Sequence, residues 1–150
     1  MKLLIQRTSR GEVFVNRISV GSINSGFVVF VGIAQTDNHQ LIDRLVERML
    51  RLRIFPDEQG KMNKSILETQ GEILLISQFT LYANCAKGYR PSFGAAAPSE
   101  TAAPLYRYCV ERVAKSGLKT ETGAFNAQMR VTLTNDGPIT ILLDSDDQQT

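Results

Sequence analysis

The sequence predicts an α+β domain in which two helices cover a mostly antiparallel, barrel-like β-sheet. Three observations support this class: strand-like segments fill the first third of the chain, two helical stripes follow, and the elements show no regular βαβ alternation. The length of 150 residues lies within the range of ~100–200 residues that is usual for one domain. Because no repeat or Pro/Gly-rich linker divides the chain, we expect residues 1–150 to form a single domain.

Short β-rich segments separated by glycine-containing turns make up the first third of the chain. The predicted strands are Lys2–Thr8, Val13–Val15, Ile18–Ile23 and Phe27–Ile33. Strands that are short and joined by tight turns favour antiparallel pairing.

The hydrophobic period then changes from that of a strand to that of a helix. The apolar positions that recur at helical spacing are Leu41, Ile42, Leu45, Val46, Met49 and Leu50. Asp37, followed three residues later by Gln40, fits a variant of the capping box. We therefore expect an amphipathic helix that is capped by Asp37 and covers the sheet.

A buried strand and a second helix follow. Ile73–Ile76 is an uninterrupted apolar run, short enough for a strand that is buried on both faces. Residues 84–97 are irregular. Thr101 is the predicted N-cap of the second helix, because this start places Pro104 in the first turn, where backbone N–H groups lack helical partners. Gly117 is the predicted stop of this helix.

The last third of the chain predicts a β-hairpin. Its apolar residues alternate with polar ones on both sides of the segment Asn135–Pro138. This segment contains Asn, Asp, Gly and Pro in succession, which is strong turn chemistry.

Composition and charge exclude several classes of protein. No apolar run approaches the ~18 residues that a membrane span requires, and the N-terminal segment reaches Arg7 after three apolar residues, unlike a signal peptide. We therefore expect a cytoplasmic protein that makes no use of a membrane.

The net charge is +2, yet basic residues crowd one stretch of the chain, where they either solvate a helix face or contact nucleic acid. These residues are Arg44, Arg48, Arg51, Arg53, Lys61 and Lys64.

The sequence offers few residues for conventional hydrolytic chemistry. His39 is the single histidine, and we expect it to be exposed at the start of the first helix. Cys85 and Cys109 are expected to be a loop thiol and a core filler. These residues match no zinc-ligand spacing, and the sequence contains no phosphate-binding glycine motif. We expect no metal and no cofactor, and no Ser–His or Cys–His pair except around His39.

Two segments stand out as candidates for a site. Ser77, Gln78 and Thr80 place polar side chains at the end of the buried strand, where they either satisfy local backbone groups or face a cleft. The segment Asn135–Thr140 contains a Gly–Pro bond, a type of bond that adopts the cis form at low cost.

Five motifs together resemble the D-aminoacyl-tRNA deacylases over essentially the whole chain. They are Ile5–Arg7, Leu52–Phe55 through Gly60–Asn63, Ser77–Leu81, Lys87–Phe93 and Asn135–Thr140. Two positions depart from the family pattern: Tyr89 stands where a basic or polar residue is common, and Asn126 stands where a glycine is common before Ala127. Both departures lie in predicted loops, where they bear on rim contacts and substrate preference rather than on the reaction.

The resemblance implies a homodimer that hydrolyses the ester between a D-amino acid and the 3′-terminal adenosine of tRNA. It implies that Ser77, Gln78, Phe79 and Thr80 line the site of one subunit. It further implies that Gly137 and Pro138, joined by a cis peptide, enter this site from the other subunit and reject L-amino acids, and that Arg7 holds their loop. The residues implied for the adenosine side are Phe125 and Met129.

Two chemical routes are compatible with the resemblance, and the first is preferred because the sequence offers no clear base. In the first route, backbone N–H groups stabilise the oxyanion and the adenosine 2′-OH assists proton transfer. In the second route, Thr80 is a covalent nucleophile and needs a base. Readings from other classes are a tRNA- or ribosome-binding module without catalysis and a different ester or amide hydrolase that pairs Thr80 with His39 or Lys87.

Overall fold

The computed structural model describes residues 1–148 and shows a mixed, nearly closed, barrel-like sheet with helices on one side. The strands are β1 (Lys2–Val15), β2 (Ile18–Ile23), β3 (Gly26–Gly32), β4 (Phe55–Pro56), β5 (Met62–Lys64), β6 (Glu72–Ser77), β7 (Thr120–Thr122) and β8 (Arg130–Asp144). The helices are α1 (His39–Arg51), α2 (Ile66–Thr69) and α3 (Ser99–Ala114), with 3₁₀ turns at Phe79–Tyr82 and Asp146–Gln148. The predicted α+β class is confirmed.

The long strand β1 is the centre of the sheet. It pairs antiparallel with β2, β3 and β8, whereas the β3–β6 and β6–β7 pairs are parallel. The strand order is therefore β2-β1-β3-β6-β7, with β8 also paired to β1. Strands β4 and β5 form a separate small hairpin. The predicted strands Lys2–Thr8 and Val13–Val15 are one continuous element.

The predicted C-terminal hairpin is wrong, because both of its halves belong to β8 and pair with β1. The register places Thr8 opposite Asn135 and Gln6 opposite Thr140, so the residues between them form a bulge. Pro138 has no N–H to give to a ladder, and a bulge is one of the few places where a strand accepts proline. The turn-like residues therefore displace the strand locally without reversing it.

Both predicted helix starts need correction. Asn38 caps α1, since its side chain accepts a hydrogen bond from the Leu41 N–H at 3.0 Å. Asp37 instead accepts hydrogen bonds from the Met1 ammonium at 2.6 Å and from the Ala34 N–H at 2.7 Å, so its carboxylate ties β1 to the end of β3.

Helix α3 begins at Ser99, two residues before the predicted cap Thr101. The Pro98 carbonyl accepts the N–H groups of Thr101 and Ala102 at 3.0 and 2.8 Å, so the helix is already formed at the expected cap. Pro104 consequently lies inside the helix rather than in its first turn. Gly117 has a positive φ of 82° and follows the helix end at Ala114, as a stop residue should.

The core lies on both faces of the central strands. Helices α1 and α3 bury their apolar stripes against one face, and a smaller cluster covers the opposite face. In β6, Ile73 and Leu75 belong to the first cluster, and Leu74 and Ile76 to the second. The prediction that Ile73–Ile76 is buried on both faces is thus confirmed. None of the helices within residues 1–148 is long and apolar enough to cross a membrane.

Candidate active site

A cavity of about 750 Å³ opens at the carboxyl end of β6. One wall is the end of β6 and the following turn, and a second wall is the segment 125–129 with Val131 of β8. The third wall comes from residues 93–102, which lead into α3 and form its first turn. Three parts of the chain that are distant in sequence therefore meet at one opening.

The end of β6 is held by β3. Ser77 is the last residue of β6 and pairs in register with Val31, and the Gln78 N–H donates to the Val31 carbonyl oxygen at 2.8 Å. The Gln78 side-chain amide donates to the Thr80 hydroxyl oxygen. Ser77, Gln78 and Phe79 line the cavity, whereas the exposed Thr80 does not. Its hydroxyl serves as an acceptor for Gln78.

Aromatic residues define two sides of the cavity. Phe79 is 55% exposed, and its ring packs edge-on against Phe93 with centroids 4.9 Å apart. On the other side, Phe125 packs at 5.6 Å against Tyr106, whose hydroxyl donates to the Leu75 carbonyl oxygen at 2.9 Å. Burial raises the pKa of Tyr106, so this phenol stays protonated and remains a donor. The buried tyrosine thereby fixes the surface on which Phe125 rests.

The 125–129 wall depends on two backbone features. Asn126 has a positive φ of 59°, a conformation that asparagine adopts more readily than most residues with a side chain. The Met129 Sδ lies 2.6 Å from the position that a Cβ would take on Gly123. The absence of a side chain at residue 123 therefore gives Met129 its place in the cavity wall.

Arg7, Gly137 and Pro138 form a second group that does not line this cavity. The Arg7 guanidinium donates through Nε to the Asp136 carbonyl oxygen at 3.1 Å and through Nη1 to the Ile54 carbonyl oxygen at 2.6 Å. Its Nη2 lies 3.3 Å from the Asp136 carboxylate. Arg7 is only 9% exposed, yet Gly137 and Pro138 are exposed and joined by a cis peptide bond. A buried cation thus holds an exposed segment.

The cavity lining has no acid, base or thiol that titrates near neutral pH. The histidine at the start of α1, His39, is exposed as expected and stacks on Tyr108 at 4.0 Å. Cys85 is exposed, and Cys109 is a buried core residue whose pKa burial raises to about 12. Within residues 1–148, no cluster of three or more His, Cys, Asp or Glu side chains could hold a metal ion. The polar groups in the lining are backbone amides and the side chains of Ser77, Gln78, Ser99, Asn126 and Gln128.

Sequence reasoning missed part of the wall. The missed residues at the start of α3 are Ala96, Ala97, Pro98, Ser99 and Ala102. They are small, and only Ser99 has a polar side chain, so residue type does not mark them. The one available signal was the run of small residues before the helix, which leaves room for a cavity.

The chain is similar to known proteins over nearly its whole length. A family model described as D-Tyr-tRNA(Tyr) deacylase matches residues 4–144. The D-aminoacyl-tRNA deacylase of Solibacter usitatus is 50% identical over 148 residues, which cover 99% of this chain and 98% of that protein. The corresponding protein of Aquifex aeolicus is 49% identical over 145 residues, covering 97% and 98%.

Solved structures show the same fold. A structure described as a c-Myc DNA unwinding element binding protein has a TM-score of 0.90 at 38% identity, covering 96% of this chain and 98% of that one. A structure described as a probable eukaryotic D-amino acid tRNA deacylase has a TM-score of 0.82 at 17% identity, covering 95% and 97%. This second likeness supports the fold alone.

The family model and the relatives define the class: a carboxylic ester hydrolase of the kind that proofreads aminoacyl-tRNA. Within this class, the chain belongs to the D-aminoacyl-tRNA deacylase family.

Proposed function

We propose that the cavity binds the aminoacylated 3′ end of D-aminoacyl-tRNA and that the Gly137–Pro138 segment of a second copy completes the site. The supporting observation is the separation of the two groups. Ser77, Gln78 and Phe79 line an open cavity, while Gly137 and Pro138 lie outside it, next to Asp136, whose carbonyl oxygen and carboxylate bind Arg7. A segment that is fixed by its own chain and exposed is suited to enter the site of a neighbour.

Hydrolysis at this site needs no side-chain base. An aminoacyl ester is already activated, so the enzyme has mainly to place a water molecule and stabilise the oxyanion. The backbone N–H groups of Phe79 and Thr80 begin a 3₁₀ turn and lack partners within it. They are the proposed oxyanion donors. The neighbouring 2′-OH of the terminal adenosine assists the proton transfer, and Phe125 and Met129 form the adenosine side of the cavity.

The geometry argues against Thr80 as a covalent nucleophile. Its hydroxyl accepts a hydrogen bond from Gln78 and does not line the cavity. His39 stacks on Tyr108, and Lys87 lies in an exposed loop. Neither of these bases lines the cavity in which the substrate ester would lie.

Chiral selection in this proposal is steric. D- and L-aminoacyl esters carry the same functional groups, and a thousandfold preference needs about 4 kcal/mol of differential transition-state energy. A rigid backbone wall at Gly137 and Pro138 supplies it by excluding L side chains. Glycine has no side chain to exclude, so glycine that is mischarged on tRNA(Ala) should also be hydrolysed.

The direct test is release of amino acid from D-tyrosyl-, L-tyrosyl-, glycyl- and L-alanyl-tRNA by the pure protein. We expect D-tyrosine and glycine to be released and both L-amino acids to be retained. If glycyl-tRNA is as resistant as L-alanyl-tRNA on the same tRNA body, the site recognises the D side chain positively and the exclusion model is wrong.

The shared site has its own test, the mixing of two inactive variants. Ser77→Trp fills the cavity, and Gly137→Trp projects a large side chain from the segment that enters the partner's cavity, so each variant alone should be inactive. In a two-fold dimer, half of the randomly mixed molecules carry one intact site, so mixing should restore about one quarter of wild-type activity. Light scattering should give about twice the chain mass of 16.7 kDa. Mixed dimers without recovered activity would place both groups in the same subunit's site.

A further inference from the structure

We propose that Tyr89 is a stacking platform for an unpaired nucleotide of the tRNA 3′ end, outside the cavity that holds the terminal adenosine. This inference rests on the proposed function, because it takes the aminoacyl ester to lie in the cavity. It adds a separate contact, made by a loop residue that lines no cavity wall.

The loop that carries Tyr89 is closed by a defined base. The Asn84 N–H donates to the Ser92 carbonyl oxygen at 2.8 Å, and the Ser92 N–H donates back to Asn84 at 3.0 Å. The Asn84 side chain also accepts the Ala86 N–H at 2.9 Å. Pro91 fixes one backbone angle at the end of the loop and restricts the residue before it. The loop therefore projects from a base that hydrogen bonds hold in place.

The base of the loop lies at the opening of the cavity. Phe93, the residue after the closing pair, lines the cavity and packs edge-on against Phe79. Tyr89 lies three residues before Ser92, a reach of roughly 10 Å for an extended chain. Stacked nucleotides of one strand rise about 3.4 Å each. The side chain can therefore meet a nucleotide a few positions before the adenosine.

The loop tip has the composition of a single-strand nucleic-acid contact. Tyr89 has a relative exposure of 108%, the highest among the exposed large hydrophobic residues. Lys87 and Arg90 flank it, both exposed, and neither forms an ion pair with any residue of 1–148. Aromatic rings that stack on bases, beside cations that neutralise phosphates, are how proteins hold unpaired nucleotides.

The deciding experiment compares a long substrate with a short one. D-tyrosyl-tRNA contains the unpaired nucleotides, whereas D-tyrosine esterified to adenosine alone does not. Tyr89→Ala should raise KM for D-tyrosyl-tRNA by about tenfold, the usual scale for loss of one base stack, without change in kcat. The same variant should hydrolyse the adenosine ester like the wild type.

Matched variants separate stacking from other roles. Tyr89→Phe keeps the ring and should behave like the wild type, whereas Tyr89→Leu keeps apolar bulk and should resemble Tyr89→Ala. Met62→Ala removes another exposed apolar side chain, 60% exposed on the β4–β5 hairpin, and should change neither substrate's kinetics.

Three outcomes would overturn the inference. Equal KM values for wild type and Tyr89→Ala on D-tyrosyl-tRNA would exclude stacking, and a loss of equal size on both substrates would place Tyr89 in the adenosine site. A lower molecular mass of Tyr89→Ala by light scattering would assign the ring to a protein interface instead. Failure of the wild type to hydrolyse either substrate would refute the proposed function itself.

Discussion

The end of β6 and the middle of β8 both carry motif residues, but the fold treats them differently. At the end of β6, the side chains of Ser77 and Gln78 line a cavity whose walls come from the same chain. In the middle of β8, Gly137 and Pro138 are exposed and do not line this cavity. The buried Arg7 nevertheless binds the carbonyl oxygen of the preceding residue, Asp136. Under the proposed function, the first region binds the substrate and the second completes the site of a partner subunit.

Arg7→Ala should have the largest effect, because it releases the β8 segment while leaving the cavity intact. The variant loses two charge-assisted hydrogen bonds to carbonyl oxygens, of Asp136 and Ile54. At about 1.5–3 kcal/mol for each, the free energy of unfolding should fall by roughly 3–6 kcal/mol. Urea denaturation measures this fall, and the ratio of D- to L-tyrosyl-tRNA hydrolysis should fall with it.

Arg7→Lys is the matched control for this change. It keeps the positive charge but not the planar fork that reaches two carbonyl groups, so it should recover only part of the stability. Full recovery by Arg7→Lys would mean that charge alone holds the segment.

A pair of glycine substitutions probes the two regions directly. Gly137 has a φ of 129°, and a Cβ there would meet the Ile139 backbone N at 3.0 Å, so Gly137→Ala should cost about 1–3 kcal/mol of unfolding free energy. In Gly123→Ala, the nearest atom is the movable Met129 Sδ, and the loss should stay below about 1 kcal/mol. Thermal or urea unfolding of both variants provides the measurement; equal losses would contradict the contrast between a rigid segment and an adaptable cavity wall.

Thr80→Ala tests whether the turn after β6 acts through its backbone or its hydroxyl. The variant removes the acceptor of the Gln78 amide but keeps every backbone N–H group. We expect activity on D-tyrosyl-tRNA to fall by about tenfold or less, far from the roughly 10⁶-fold loss typical of a removed nucleophile. Complete loss, with fold and tRNA binding intact, would favour the covalent route.

His39→Ala should have the smallest effect, since His39 belongs to neither region. The ring is exposed and stacks only on Tyr108. Hydrolysis rates on D-tyrosyl-tRNA should match those of the wild type between pH 6 and 8, with Gln as a second substitution to control for lost packing. A large fall in rate would identify His39 as a general base after all.

Sequence reasoning predicted the parts of the fold that local pattern determines. The α1 stripe and the buried run of β6 were found because period and length define them. The continuous β8 was missed because Gly137 and Pro138 have the same composition in a bulge as in a turn. The choice between the two depends on the distant partner β1.

The helix caps show the same limit on a smaller scale. Asp37 and Asn38 are both good cap residues, and only the position of the Met1 ammonium explains why Asn38 takes that role. At the site, Ser77 and Gln78 could be predicted as candidate residues because they are polar and follow a buried strand. The separation of Thr80 from the cavity could be seen only in three dimensions.

The pairing of β1 with β8 has a consequence for the chain while it is being synthesised. β1 can pair with β2 and β3 as soon as these strands have left the ribosome, but its other edge has to wait for residues 130–144. That partner is made roughly 100 residues after β3, which takes about 5–20 s at usual elongation rates. During this interval the nascent chain presents an open strand edge, the kind of surface on which neighbouring chains aggregate.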